Sequence, residues 1–272
     1  MTEDTQMIGD VLEEWVRYTI ADHNSIPLLG LSGSQGIGKT TALRQLADAS
    51  GLNVAALSLD DFYLRRSARN RLAQTIHPLC ATRGAPGTHD IKLLCSTIKA
   101  LQSQDEAGVA HWPKFDKITD DRSSDENEFT GRPDAFLVEG WLIGALSDPD
   151  AGQDQPVNEL EGKEDAAGRW RTWQEHALSN HYEPLWKQFD GFLYLCAPSF
   201  ATVLDWRSEQ EETTLGLAKG SLPQDRQEWV ERFVQHYERI TNRILSGFRM
   251  PGAEVRVNEK RMPMKNDLRI NR

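Results

Sequence analysis

The chain has 272 residues, 39% of them hydrophobic and 26% charged, with a formal net charge of -10. These proportions describe a globular protein with a real core and exclude a disordered chain, and the acidic balance excludes general affinity for nucleic acid or anionic lipid. No apolar run reaches the ~18 residues of a membrane span, the start "MTEDTQMIGD" is acidic where a secretion signal is basic, and Cys80, Cys95 and Cys196 stand apart without a Cys-x-x-Cys pair. A cytoplasmic protein acting on a small molecule, as a monomer or homodimer, is the expectation.

From Glu3 to His23, the spacing of Ile8, Val11, Leu12, Trp15, Val16 and Ile20 predicts an amphipathic helix. "IPLLGLSG" reads as a buried strand entering a turn, Lys39 to Ala49 as a helix, and "NVAALSL" as a second strand. After a polar, Arg-rich connection, "HDIKLLCSTIKALQ" has helical spacing. "DAFLVEG" and "GFLYLCA" are continuous apolar runs of the kind that parallel strands covered on both faces require. Strands alternating with helices predict an α/β fold with a mainly parallel sheet, as one domain. "SSDENEFT" (123–130) and "SDPDAGQDQP" (147–156) read as surface loops. Two long helices, 199–220 and 225–247, are expected on either side of a break at Gly220 to Pro223, followed by a last strand, "AEVRVN".

The first strand runs into "GSQGIGKTT", a Gly-x-x-x-x-Gly-Lys-Thr pattern between a strand and a helix, the context of a triphosphate-binding loop. Its glycines let the backbone bend so that N–H groups face phosphate oxygens, and the helix beginning at Lys39 adds its positive end. Gly33, Ser34, Gln35, Gly36, Ile37, Gly38, Lys39, Thr40 and Thr41 are therefore the candidate ATP contacts. Lys39 would bridge the outer phosphates, and the Thr40 hydroxyl would hold Mg2+. The expected fold becomes a three-layer P-loop one.

A guanine-reading switch would need Asn-Lys-x-Asp, and the chain contains no Asn-Lys or Thr-Lys pair. A motor would carry Asp-Glu at the end of its second acidic strand, and here "FLVEGW" offers Glu139 alone. "SLDDFYL" places Asp60 and Asp61 at the C-terminal edge of the sheet, where ligands of such sheets gather. A carboxylate there can take the proton of an attacking alcohol. Asp60 is the candidate base, and Asp61 a cap or metal ligand.

"SLDDFYL", "HPLCATRGAPGTHD", "WPKFDK" and "FLVEGWLIG" together resemble the P-loop glycerate kinases, the plant-type D-glycerate 3-kinases with their fungal and bacterial relatives. That family is akin to uridine, phosphoribulose and pantothenate kinases. The likeness runs from about Leu29 to Pro263 and is most specific at Arg83-Gly84-x-Pro86-Gly87-Thr88-His89-Asp90. It implies transfer of the γ-phosphoryl group of ATP to a hydroxyl, with D-glycerate the expected acceptor; another acceptor of the superfamily (pantothenate, a nucleoside, a sugar phosphate) or a regulatory ATPase are the alternatives. It also implies that Asp60 is the base, that Glu139 lies near the metal, and that Asp116 contacts the acceptor, with Phe115 replacing a tyrosine of uridine kinases. The resemblance further implies a helical lid near 199–223, whose arginine, expected in Arg207 at the start of its helix, would approach the transferring group.

Glycerate carries a carboxylate, for which Arg83 offers a planar fork. Asp60, Tyr63, Arg83, His89, Asp116 and Arg122 are thus the candidate acceptor contacts, with Lys114 and Lys117 as further cations. Asp90 reads as a helix cap. Trp170, Trp173, Tyr182 and Trp186 read as core, and "SEQEETT" as a solvated helix face. "VNEKRMP" lies where such kinases place adenine.

Overall fold

A computed structural model describes residues 7–264. Five parallel strands form the central sheet: β1 (Leu28–Gly33), β2 (Val54–Ser58), β5 (Ala135–Gly140), β6 (Gly191–Cys196) and β7 (Ala253–Arg256), in the order β2-β5-β1-β6-β7. β1 is central and buried at every position, which accounts for its unbroken apolar run.

Alternate residues of each strand feed opposite layers. Leu29, Leu31, Leu137, Leu193 and Leu195 face α1 (Ile8–Asp22) and α2 (Lys39–Ala49), meeting Leu12, Trp15, Val16, Ala42 and Leu46. Leu28, Phe136, Val138, Phe192 and Tyr194 face α4 (Ile91–Gln102) and the segment that ends in Tyr182, Leu185 and Trp186. The result is a three-layer α/β sandwich. The helical spacing read in α1, α2 and α4, and the apolar runs of β1, β2, β5, β6 and β7, all correspond to observed elements; residues 3–6 of the first predicted helix lie outside the described ones.

Four expectations need correction. Residues 123–130 are not a loop. They belong to β4 (Asp121–Thr130), paired antiparallel with β3 (Val109–Asp116) in a separate hairpin. One face of β3 carries buried Ala110, Trp112 and Phe115, while β4 has no buried residue, so its sequence is free to be polar and reads like a loop. The Arg-rich connection holds a helix, α3 (Arg66–Thr75), whose only fully buried side chain is Arg69.

The second late helix breaks into α9 (Gln224–Gln235) and α10 (Glu238–Leu245). The break turns at Tyr237, whose hydroxyl donates to Arg83 O at 2.8 Å. "SEQEETT" is not a solvated face either. It lies in α8 (Phe200–Thr214), where Glu211 and Glu212 are buried because α9 packs against that helix. Glu211 receives Arg207 and Arg226, and Glu212 accepts from Leu222 N. Of the aromatics read as core, Trp170, Trp186 and Tyr182 are fully buried, whereas Trp173 is half-buried and packs against the edge of a cluster with Leu79, Cys80 and Trp170.

Candidate active site

At the C-terminal end of β1 the chain turns sharply and enters α2. Gly36 has φ +75° and Gly38 φ +108°, both in the left-handed region that favours glycine. A Cβ on Gly36 would also stand 2.7 Å from Trp206 Cβ. The first-turn amides of α2 have no intrahelical acceptors and face the loop. Lys39 curls back across it, its Nζ donating to Gly33 O (2.7 Å) and Ser34 O (3.3 Å) and lying 3.9 Å from Glu139 Oε2. Burial lowers its proton affinity, against the pull of Glu139 and then Asp60.

Ser34 Oγ and Gln35 Oε1 are buried without a partner, Thr40 and Thr41 are exposed. From the far end of the chain Arg261 braces this loop, donating from Nε to Gly36 O (2.6 Å) and from Nη2 to Glu209 (2.8 Å). The phosphate-loop motif does not reveal that brace.

Strand register brings Glu139 beside Leu31 and Ser58, and the Ser58 hydroxyl donates to it at 2.5 Å. β2 stops at Ser58, and Leu59–Phe62 form a 3-10 turn, so Asp60 and Asp61 are not presented by strand alternation. Asp60 accepts from the Tyr63 hydroxyl at Oδ1 (2.6 Å) and from Lys117 Nζ at Oδ2 (2.7 Å). Burial favours its neutral acid, but the charge and hydrogen bond of Lys117, with the bond from Tyr63, hold it well below the usual carboxylate range. Asp61 does the reverse: burial pushes it up to about 6, opposed by the amide of Phe115. Its oxygens accept from Phe115 N and Asn127 Nδ2, each at 3.1 Å, and tie the hairpin to the sheet edge.

Across from the cradle stands a wall built by side chains. Arg83 pairs with Asp120 and lies 5.6 Å over the Phe115 ring. Arg69, with 0% exposure, donates to Leu64 O (3.1 Å), Ala81 O (2.7 Å), Asp120 O (2.7 Å) and Asp120 Oδ2 (2.8 Å). Arg122 donates to Tyr63 O and to Asp90 Oδ2, each at 3.1 Å. Asp90 also caps α4 by accepting from Leu93 N, as its position predicts.

His89, 5% exposed, shares a 2.7 Å hydrogen bond with the Tyr182 hydroxyl, which itself accepts from Gly87 N. The phenol proton is thus available to Nδ1, which leaves the ring proton on Nε2, an atom without a partner. Burial lowers His89 to about 3, with Asp60 opposing.

Lys39, Glu139, Asp60, Tyr63 and Lys117 meet in one place, with Arg83, His89 and Arg122 around it. Asp116 points its carboxylate into its own turn, accepting from Ile118 N (2.9 Å) and Thr119 Oγ1 (2.7 Å). Arg207 lies midway along α8 rather than at its start. It pairs with Glu211 at 2.9 Å and sits over Trp229 and Phe233. Sequence spacing does not single out Arg69, Asp120 or Tyr237, because their partners are distant in the chain. Among the described residues no three His, Cys, Asp or Glu side chains form a metal cage.

No protein-family model matches the chain. Over 151 residues it is 34% identical to the D-glycerate 3-kinase, chloroplastic, of Arabidopsis thaliana, covering 48% of this chain and 33% of that protein. Over 151 residues it is 28% identical to the Probable ATP-dependent kinase TDA10 of Saccharomyces cerevisiae, covering 50% and 52%. The match thus spans between a third and about half the length of these curated relatives. The solved D-glycerate 3-kinase from Cryptococcus neoformans var. grubii superposes with a TM-score of 0.77 at 26% identity, over 95% of this chain and 98% of that one. All three are named as kinases, and this chain, with the fold of the solved one and a phosphate loop at the C-terminal edge of its sheet, is a member of the P-loop kinase superfamily.

Proposed function

We propose that the chain is a kinase that moves the γ-phosphoryl group of ATP to a hydroxyl of D-glycerate. The observation that carries this reading is a half-buried carboxylate, Asp60, held close enough to the loop lysine Lys39 for their charges to interact, at the edge where such sheets bind ligands. A switch or motor has no need of an acceptor base there.

In the proposed step the hydroxyl oxygen of the acceptor bonds to the γ-phosphorus as the bond to the β–γ bridging oxygen breaks. ADP leaves with that electron pair, and the hydroxyl proton passes to Asp60. Lys39, the amides of residues 34–41 and the unpartnered Ser34 hydroxyl hold the phosphates. Thr40 and Glu139 would hold Mg2+, which when bound offsets phosphate charge. The adenine would take the cleft of about 650 Å³ lined by Ala197, Pro198, Val257, Asn258 and Lys260. Residues 199–223 act as the lid, and Arg207 must leave Glu211 to reach the phosphates.

Two facts support an acid as acceptor: cations crowd the wall, and relatives are named as glycerate kinases. A panel of D-glycerate, pantothenate, uridine and a sugar phosphate, each with ATP and Mg2+ and read by ADP release, tests it. D-glycerate should turn over, and Asp60→Asn should lower kcat about 10³-fold with ATP binding retained. Turnover of uridine or pantothenate with D-glycerate inert would replace the acceptor. ATP hydrolysis indifferent to every acceptor and to Asp60→Asn would replace the kinase reading.

A further inference from the structure

We infer that Lys117 is both the reader of the acceptor's carboxylate and the guard of the base: without acceptor its ammonium masks Asp60, and an arriving carboxylate draws it away. The inference rests on the kinase reading above and goes further by naming the group that selects an acid.

Both oxygens of Asp60 are occupied. Tyr63 donates to one at 2.6 Å and Lys117 to the other at 2.7 Å. A carboxylate paired with an ammonium is a weak base, because protonating it sacrifices a charge-assisted hydrogen bond. Burial acts in the opposite sense and is the largest influence on Asp60. Once Lys117 withdraws, Oδ2 is open to take the proton of the incoming hydroxyl. Lys39 also acts on Asp60, Glu139 faces both lysines, and the charge of Asp60 in turn raises the neighbouring Asp61.

Among the cations of the site, Lys117 is the one able to make this exchange. Lys39 is occupied by loop carbonyls and Glu139. Arg83 is held by Asp120 and stacked on Phe115, Arg69 is enclosed by four hydrogen bonds, and Arg122 is divided between Tyr63 O and Asp90. Lys117 stands just beyond the last residue of β3, at the turn of the hairpin, with its side chain 58% exposed. Its neighbour Ile118 is 92% exposed, so the tip is clear on the solvent side. An ammonium on such an arm can move from one carboxylate to another without repacking anything.

Two consequences follow. Without acceptor the masked base does not activate water, so ATP is spared. An acceptor lacking a carboxylate, such as glycerol, leaves Lys117 on Asp60 and reacts poorly even though its hydroxyls match those of glycerate.

Lys117→Met keeps the stem and removes the charge, and Lys117→Arg keeps the charge. Three quantities are measured on wild type and both variants: KM and kcat for D-glycerate, the glycerate-to-glycerol ratio of kcat/KM, and ATP hydrolysis without acceptor. Lys117→Met should raise KM for D-glycerate about 10–100-fold, shrink the glycerate-to-glycerol ratio by a similar factor and increase acceptor-free hydrolysis. Lys117→Arg should recover part of the discrimination. A Lys117→Met protein with the wild-type ratio overturns the inference, as does one that loses kcat alone without added hydrolysis, since then Lys117 merely positions Asp60. Wild type active on D-glycerate separates this failure from that of the kinase reading, which falls, together with this inference, only if wild type is inert with every acceptor; turnover of uridine with every acid inert overturns this inference and leaves the kinase reading standing.

Discussion

The two halves of the site are built by different physics. The phosphate cradle is nine consecutive residues, Gly33 to Thr41, and its working parts are backbone amides set by two left-handed glycines and a helix start. The acceptor wall is assembled from residues 60–63, 69, 83–90, 115–122, 182 and 237, joined by side-chain hydrogen bonds between positions as much as 154 apart in the chain. A backbone cradle tolerates change in its surroundings and stays constant in what it binds. A side-chain wall can be altered one residue at a time, which suits the part of a kinase that chooses the acceptor.

The contrast can be broken most decisively at Lys39. Lys39→Ala removes the one charged side chain of the cradle, and we expect phosphoryl transfer to fall on the order of 10⁴-fold with the melting temperature almost unchanged. Its partners in the acceptor-free protein are two carbonyls of its own loop and a carboxylate 3.9 Å away, none of which depends on it for the fold. A variant that unfolds instead would mean the cradle depends on side chains as much as the wall does.

Arg69→Met is the matching cut on the other side. It deletes four hydrogen bonds at a fully buried position and leaves three carbonyls and the Asp120 carboxylate short of a partner. Urea unfolding should show a loss of about 3–5 kcal/mol. Acceptor KM should rise in the folded fraction while ATP affinity holds. A loss of ATP affinity as large as that of the acceptor would erase the distinction between the halves.

The same contrast decides what a sequence reveals. The glycine-lysine-threonine pattern and the apolar runs of β1, β5 and β6 are local, so spacing alone locates the cradle and the sheet behind it. "LDDFY" could be assigned to the sheet edge because β2 is apolar up to its end. Which partners Asp60 takes could not be, since Lys117 arrives on a hairpin whose second strand is polar but for Phe129. β4 hardly shows the alternation that marks a half-buried strand because Phe129 is its one apolar side chain packed against the core, and pairing with β3 keeps it extended. Arg69 sits in a helix with no apolar stripe, so its burial follows from carbonyls that other segments bring to it. Charged residues read as solvated, Glu211 above all, are buried for a related reason: Arg207 is its i,i+4 neighbour on α8, but Arg226 and the covering face of α9 come from packing that no local pattern encodes.

A smaller effect probes how tightly the wall is fitted. Gly84 has φ +107°, and a Cβ there would lie 2.6 Å from the Tyr237 ring, so Gly84→Ala combines backbone strain with a clash inside the wall. The expected cost is about 2–3 kcal/mol, read by urea unfolding. A nearly neutral result would mean that Tyr237 moves aside easily and that the break between α9 and α10 is not fixed by its bond to Arg83 O.

The smallest effect is carried by a proton. His89 lies between Tyr63 and Tyr182 in the wall, with a ring held neutral by burial down to about pH 3, whereas in the unfolded chain it titrates near 6.5. The folded state therefore binds fewer protons than the unfolded state in that interval. The stability this contributes is complete above pH 6.5 and is lost as pH falls toward 3, by at most about 1.4 kcal/mol per pH unit. Between pH 7 and pH 5 it should amount to about 2 kcal/mol. His89→Gln has no such proton to exclude, so its urea stability should fall less steeply over the same range. The difference between the two curves isolates His89 from the carboxylates that both proteins share. If the curves run parallel, the ring is charging inside the folded protein without penalty. That would place water or an anion beside Nε2, and the wall would then be open at a point where its packing makes it look closed.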